Sequence, residues 1–310
     1  NYKDKNLSIN GEGQIQLNTG EIDEIKYFIN KKDNDLSIDS ELFLKNIVLK
    51  QQDFLKIFFP QTNENINFNN QKLNINFNNN NLTFSGSGKF KIDKDFEEID
   101  YFIEKKENKI SFNTNLNVKN TKFKIDNINY KKKDKSKMSL LINGELKNNK
   151  NLNIKKLIIN EEDNYIKIKN LSLNDSNQII KIDQANLNYL DTDYKKNNYN
   201  IKNVEGQNYL IDGTSFNANP LISYLLDADD KKENNLFENK VSMDLNFDQV
   251  YLDKIYFVKN LIGKINIISN KVDEADILAF YNDSQNIKFT IKTNDQGEKI
   301  TTLFSSKAKP

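Results

Sequence analysis

Apolar and polar residues alternate strictly in many short stretches of this chain. Residues 73–77, 110–118, 241–247 and 287–291 place most of their apolar side chains two positions apart. That period is typical of a β-strand with one buried and one solvated face. Polar clusters rich in Asn, Asp and Lys separate the stretches and indicate turns. The pattern predicts an all-β chain with antiparallel neighbouring strands.

Two segments break the alternation. Residues 51–59 carry a bunched apolar set and stop at a proline, which predicts a short helix. The second predicted short helix lies near 219–226, where Asn219 suits an N-cap and Pro220 suits the first turn. We therefore expect one or two short helices in a chain that is otherwise β-sheet.

A long segment occurs twice in the sequence. Residues 21–49 align with 95–123 at a constant offset of 74, and most pairs are identical or swap within one chemical class. A glycine pair and a short alternating run precede each copy, so the self-similar segments extend over 11–49 and 86–123. Repeats of this length are typical of elongated arrays in which each unit buries its apolar face on its neighbours. The prediction is an elongated, twisted antiparallel repeating β-groove.

Composition limits the possible functions. The net charge is +1 and all 45 basic residues are Lys, so neither the basic excess nor the arginine typical of nucleic-acid binders is present. We expect no nucleic-acid partner. The chain has no Cys and no His, which removes the usual nucleophile–base pairs and the commonest transition-metal ligands. We expect no cofactor and no enzymatic activity. An enzyme that uses carboxylates alone is much less favoured than the two hypotheses given at the end of this subsection.

The alternating apolar face is the candidate functional feature. An ordinary sandwich core is the commoner explanation of such a face, but no complementary block of sequence is evident to cover this one. A long sheet curled into an open gutter would leave the face accessible to hydrocarbon chains. The predicted lining residues are Leu73, Ile75, Phe77, Ile110, Phe112, Leu116, Val118, Val241, Met243, Leu245, Phe247, Ile287, Phe289 and Ile291.

The last third of the chain resembles a known family. Residues 213–222, 241–250 and 258–265 combine alternating strands with a short step that reads Asn-Leu-Ile-Gly, and 204–206 form a degenerate copy of that step. In this respect residues 200–310 are similar to the large AsmA-like proteins of Gram-negative bacteria, particularly the YhdP/TamB-type branch. The earlier repeats resemble that family in architecture only.

The resemblance implies a division into 1–200, which holds repeated β-groove units, and 201–310, an AsmA-like groove segment. It also implies the periplasmic part of an inner-membrane-anchored protein, whose groove carries phospholipids between the inner and outer membranes and so supports outer-membrane biogenesis. The chain lacks the family's membrane helix and starts without Met. We therefore expect a fragment of a longer protein, held at the membrane by segments outside this chain, with unspecified protein partners at the envelope membranes.

Two functional hypotheses follow from different classes. The first is a conduit that shields lipid acyl chains in the groove. The alternative is a structural β-solenoid or adhesin-like surface scaffold, whose core would be closed and filled by its own side chains. The lysine cluster 131–133 could contact anionic headgroups, but a solvated hairpin tip is the favoured interpretation.

Overall fold

The computed structural model of this protein describes residues 6–17, 21–33, 35–51, 54–148, 151–176, 178–220, 237, 239–268, 271–282, 284–294 and 296–306. These residues are almost entirely β-strand, as the alternation predicts. The first strands are β1 (Asn6–Gln16), β2 (Ile22–Lys32), β3 (Asp35–Lys50), β4 (Asn65–Asn78), β5 (Asn81–Lys91), β6 (Glu97–Lys106) and β7 (Lys109–Val118). Two short strands follow, β8 (Lys124–Ile125) and β9 (Tyr130–Lys131), with a turn of 3-10 helix at Asp126–Ile128 between them.

The remaining strands are longer again. They are β10 (Met138–Lys147), β11 (Asn151–Glu161), β12 (Asn164–Leu173), β13 (Ile179–Leu190), β14 (Lys196–Glu205), β15 (Asn208–Asn217), β16 (Val241–Tyr251), β17 (Phe257–Ile268), β18 (Lys271–Asn282), β19 (Gln285–Thr293) and β20 (Lys299–Ser305). The chain divides into two compact units. The predicted boundary near residue 200 lies inside β14.

Unit 1 comprises Asn1–Lys124 and Lys132–Glu162. Its sheet has the order β1-β2-β3-β4-β5-β6-β7-β10-β11, and every neighbouring pair is antiparallel. Strand order thus follows chain order. The tight turn between β4 and β5 uses Asn79 and Asn80 with positive φ angles of 41° and 75°. Asparagine tolerates this left-handed conformation, which suits a two-residue hairpin.

Unit 2 comprises Ile125–Lys131 and Asp163–Pro310. Its sheet runs from β12 to β20 in chain order. All neighbours are antiparallel except β15 and β16, which are parallel. The prediction of antiparallel neighbours is wrong at this pair. Strands β15 and β16 therefore begin at the same end of the sheet.

The predicted helix in 51–59 is confirmed as a single turn, α1 (Phe54–Phe58), between β3 and β4. The second predicted helix falls mostly outside the described residues. Strand β15 ends at Asn217, and Asn219 and Pro220 have helical backbone, whereas 221–226 are not among the described residues.

Candidate apolar binding face

Apolar side chains of neighbouring strands lie side by side on one face of the unit 1 sheet. The register pairs Ile75 with Phe84, Phe84 with Ile103, and Ile103 with Phe112. Directly paired residues project from the same face, so these four residues form a continuous row across β4–β7, here named the open strip. The other predicted residues of this unit lie at even spacings on the same face, namely Leu73, Phe77, Ile110, Leu116 and Val118.

Unit 2 carries an equivalent row. Leu245 pairs with Gly263, Gly263 with Ile277, and Ile277 with Phe289. The predicted residues on β16 and β19 alternate onto this same face, namely Val241, Met243, Leu245, Phe247, Ile287, Phe289 and Ile291. In each unit the structure therefore brings the predicted residues together on one face of the sheet.

The two faces of each sheet differ in exposure. The side chains of the open strip and of Leu245 are half-buried, whereas their polar neighbours Asn74, Asn113 and Asn246 are exposed. On β5 the polar neighbours Thr83 and Ser85 are half-buried as well. Within the described residues, the closest backbone contacts between elements are those between neighbouring strands of a sheet. The side chains of the open strip therefore keep part of their surface accessible.

Aromatic rings on the apolar face of unit 1 lie down over glycine. A Cβ atom added to Gly11 would lie 2.5 Å from the Tyr27 hydroxyl oxygen, and one added to Gly86 would lie 2.5 Å from that of Tyr101. Tyr27 and Tyr101 are equivalent positions of the two repeated segments. Glycine has no side chain to hold the ring away, so each ring rests on the neighbouring strand instead of standing upright.

One end of the apolar face in unit 1 is covered by the chain itself. Phe59, Phe90, Val118 and Phe123, here named the covered end, are each at most 3% exposed. The Phe59 and Phe123 rings meet edge to face with centroids 5.3 Å apart. Phe59 directly follows α1, and Phe123 lies in the segment after β7, so two connections between strands supply the cover.

Three predicted lining residues belong to such filled regions. Val118, Val241 and Phe247 are at most 3% exposed, unlike the other predicted residues, which are half-buried. The Phe247 ring stacks on Phe216 at 5.4 Å, and Tyr199 meets Phe216 edge to face, also at 5.4 Å. These three residues act as core in this structure, because neighbouring side chains already occupy the space beside them.

Two buried carboxylates on the apolar face of unit 1 accept hydrogen bonds from backbone N–H groups. The Glu97 carboxylate accepts the backbone N–H groups of Lys119, Asn120 and Thr121 at 2.9, 2.6 and 2.8 Å. The equivalent residue of the first copy, Asp23, accepts the N–H of Lys45 at 2.8 Å. Lys45 and Lys119 are themselves 74 positions apart, so an acidic residue accepts the N–H of the equivalent lysine in both copies, inside β3 in the first and directly after β7 in the second.

The prediction of a solvated hairpin tip at 131–133 is wrong for Lys132. This residue is only 3% exposed. Its Nζ donates to the carbonyl oxygens of Lys119 and Lys133 at 2.6 and 3.2 Å, and burial lowers its pKa, while Glu161 and Glu97 oppose that shift. Glu161 in turn accepts the N–H of Lys133 at 2.7 Å. Lys132 is buried because its ammonium group and the Glu161 carboxylate form hydrogen bonds with backbone groups of this loop. No local pattern in 131–133 indicates such bonds.

Unit 2 uses the same kind of anchor. Asp191 is buried, and its Oδ1 accepts the N–H groups of Asp193 and Lys195, each at 2.9 Å. Its Oδ2 accepts the side-chain amides of Asn197 and Asn217 at 3.1 and 2.7 Å. Sequence reasoning missed Asp23, Glu97 and Asp191. The sequence did contain a signal for Asp23 and Glu97. In both copies of the repeat, the acidic residue lies two positions before an apolar residue of the apolar face.

The described residues hold no group of three or more His, Cys, Asp or Glu that could bind a metal ion. No helix among them is long and apolar enough to cross a membrane. Comparison with known proteins found no matching family model, curated protein or solved structure. The resemblance to the AsmA-like family therefore stays a prediction from the sequence motifs.

Proposed function

We propose that this chain is part of a hydrophobic conduit that shields phospholipid acyl chains and transfers them between the inner and outer membranes of a Gram-negative envelope. The protein would be the periplasmic part of a longer, inner-membrane-anchored chain, and would support outer-membrane biogenesis without catalysis or a cofactor. The observation that carries the proposal is the continuous row of half-buried apolar side chains across several strands.

The chemistry of such a face suits hydrocarbon. Contact with an acyl chain is non-directional and is distributed over area, so no single residue has to recognise it. Each buried CH₂ group contributes about 0.8 kcal/mol, and part of one acyl chain would therefore contribute several kcal/mol. Because every position along a row offers similar contacts, a chain could slide along it at low cost.

The rings that lie over Gly11 and Gly86 support this proposal. A flat ring covers backbone and presents an apolar surface without filling the space above the sheet. The repeated segments would then contribute equivalent stretches of one elongated groove.

The covered end favours the second candidate, a structural scaffold with a closed core. Phe59, Phe90 and Phe123 show that the chain can fill its own apolar face. The scaffold hypothesis requires the open strip to be filled in the same way in the full protein, whereas the conduit hypothesis requires it to remain accessible.

A lipid-transfer assay separates these candidates. Leu245 lies on the apolar face and its neighbour Asn246 on the polar face. Leu245→Asp should abolish transfer of a fluorescent phospholipid between vesicles, because a carboxylate would lose hydration beside acyl chains. Asn246→Asp adds the same charge on the opposite face and should transfer normally. Circular dichroism checks that both variants fold, and equal transfer by two folded variants would reject the conduit.

A further inference from the structure

The polar face of unit 1 has two depressions that occupy equivalent places in the two repeated segments. One, of about 460 Å³, contains Phe28, Asp39 and Glu41. The other, of about 420 Å³, contains Phe102, Asn113 and Asn115. Each of these three pairs is separated by 74 positions, the offset of the sequence repeat.

The two depressions adjoin one another. Both include Asn74 and Ser85, which pair directly across β4 and β5. Phe28 and Phe102 lie on β2 and β6, four strand spacings and one residue pair apart, which corresponds to about 20 Å between the two rings. Together the depressions form a polar track with a phenyl ring near each end.

The rings are exposed although they are large and apolar. Phe28 and Phe102 are each 41% exposed, and the neighbouring side chains of the polar face in the two depressions are Asn, Ser, Thr, Lys and acids. Among the described residues, the amides of Asn74 and Asn115 and the hydroxyl of Ser85 have no hydrogen bond to another protein group. The track thus offers amides and a hydroxyl that are free to bind a ligand. Asn74 and Ser85 lie between the two phenyl rings, and Asn115 lies on β7, beyond Phe102.

Charge along the track is nearly balanced. Lys26 and Lys72 stand against Asp39, Glu41 and Asp100. A strongly anionic ligand such as nucleic acid would need a basic excess, which is absent here. The depressions are also open and shallow, so an acyl chain lying in them would remain in contact with water. The matching ligand is uncharged, elongated and rich in hydroxyl groups, and it has an apolar side.

We propose that this track binds a neutral oligosaccharide. Pyranose rings present a C–H face that can pack on Phe28 and Phe102, while their hydroxyl groups can exchange hydrogen bonds with Asn74, Ser85 and Asn115. An extended chain of several sugar rings would reach both platforms, and it would repeat as the protein site repeats. This interaction is independent of lipid binding, which the opposite face of the sheet would perform.

Isothermal titration of the whole chain with chitotetraose, cellotetraose and maltotetraose tests the proposal. At least one should bind with a Kd of about 0.1–1 mM, the corresponding disaccharide more weakly. Phe28→Ala and Phe102→Ala should each weaken binding about tenfold, or about 1.4 kcal/mol. Phe43→Ala is the matched control, since Phe43 lies on the same face, is 37% exposed and lines neither depression.

Three results would overturn the proposal. The first is no binding of any of the three tetrasaccharides at concentrations of about 10 mM. The second is an equal loss in Phe43→Ala, which would place the ligand elsewhere on the face. The third is Phe28- and Phe102-dependent binding of a single-stranded oligonucleotide in place of the sugars. Thermal unfolding of each variant checks that it folds.

Discussion

The covered end and the open strip of unit 1 share strands β5 and β7 and the same kinds of residue, yet one is core and the other is only half-buried. Phe90 and Phe84 both lie on β5 and project from the same face, but only Phe90 is buried. The difference lies in the cover, which comes from α1 and the segment after β7. The alternation of apolar residues therefore determines which face of the sheet is apolar. The connections between strands determine which part of that face is covered.

Truncating the two phenylalanines of β5 gives the largest expected contrast. Phe90→Ala should reduce the free energy of unfolding by about 3–5 kcal/mol, because it removes a buried ring and leaves a cavity. Phe84→Ala should cost clearly less, since Phe84 is only partly buried and water can fill the space. Urea denaturation measures both, and equal losses would mean that the open strip is as filled as the covered end.

Removing the anchors of the cover should have the next largest effect. Glu97→Ala would leave three N–H groups without their acceptor and should cost about 2–3 kcal/mol. Asp23→Ala removes a single such bond, so we expect a loss of about 1 kcal/mol. Hydrogen exchange of the Lys119, Asn120 and Thr121 amides should accelerate only in the Glu97 variant. Unchanged exchange there would show that the cover does not depend on this carboxylate.

A glycine-to-alanine substitution should displace the tyrosine ring that lies over that glycine. Gly86→Ala should destabilise the fold by about 1–3 kcal/mol, since the new Cβ overlaps the Tyr101 ring. Gly13→Ala is the control, because its Cβ would meet only Ile25 at 3.9 Å. That change should be neutral, or stabilising by about 0.5 kcal/mol. Thermal unfolding compares them, and the order Gly13 worse than Gly86 would contradict the arrangement.

The smallest expected effect concerns a carboxylate on the polar face. Lys155, Lys109 and Lys147 lie 2.8, 3.0 and 3.1 Å from Glu145 and lower its pKa to about 2. The unfolded chain then binds more protons than the folded one, so this stabilisation is complete above about pH 4.5 and is lost as the pH falls toward 2. Glu145→Gln should cost about 1 kcal/mol at neutral pH and flatten stability across that window.

Glu162→Gln is the matched control for Glu145. Glu162 has an exposed ion pair with Lys133 at 2.8 Å, and both side chains are about half exposed. Solvent screens such a pair, so the substitution should change stability little at any pH. If both variants lost the same free energy of unfolding, the three lysines around Glu145 would stabilise the fold no more than a single exposed ion pair does.

The face was predictable from the sequence and its cover was not. Alternation at Leu73, Ile75 and Phe77 is a local signal, and it placed these residues on one face as the structure shows. The short helix before Pro60 was equally local. By contrast, the bond between Glu97 and Thr121 joins residues 24 positions apart, and Phe59 meets Phe123 across several strands. Such contacts depend on how the strands are assembled, which period-two patterns do not encode.

The parallel pair β15–β16 shows the same limit. Each strand has the expected alternation, but the two strands run parallel instead of antiparallel. Alternation is blind to strand direction, because it reads the same both ways along the chain. The burial of Val118, Val241 and Phe247 likewise depends on what packs above them, although their own spacing matches that of half-buried neighbours.

Photocrosslinking in living cells tests the central claim most directly. A photoreactive amino acid would replace Phe112 or Phe289 on the apolar face, and Asn113 or Lys288 next to them on the polar face. The proposed conduit predicts phospholipid adducts from Phe112 and Phe289 and essentially none from Asn113 and Lys288. Equal labelling from both faces, or none from the apolar one, would contradict it and leave the sheet as a scaffold.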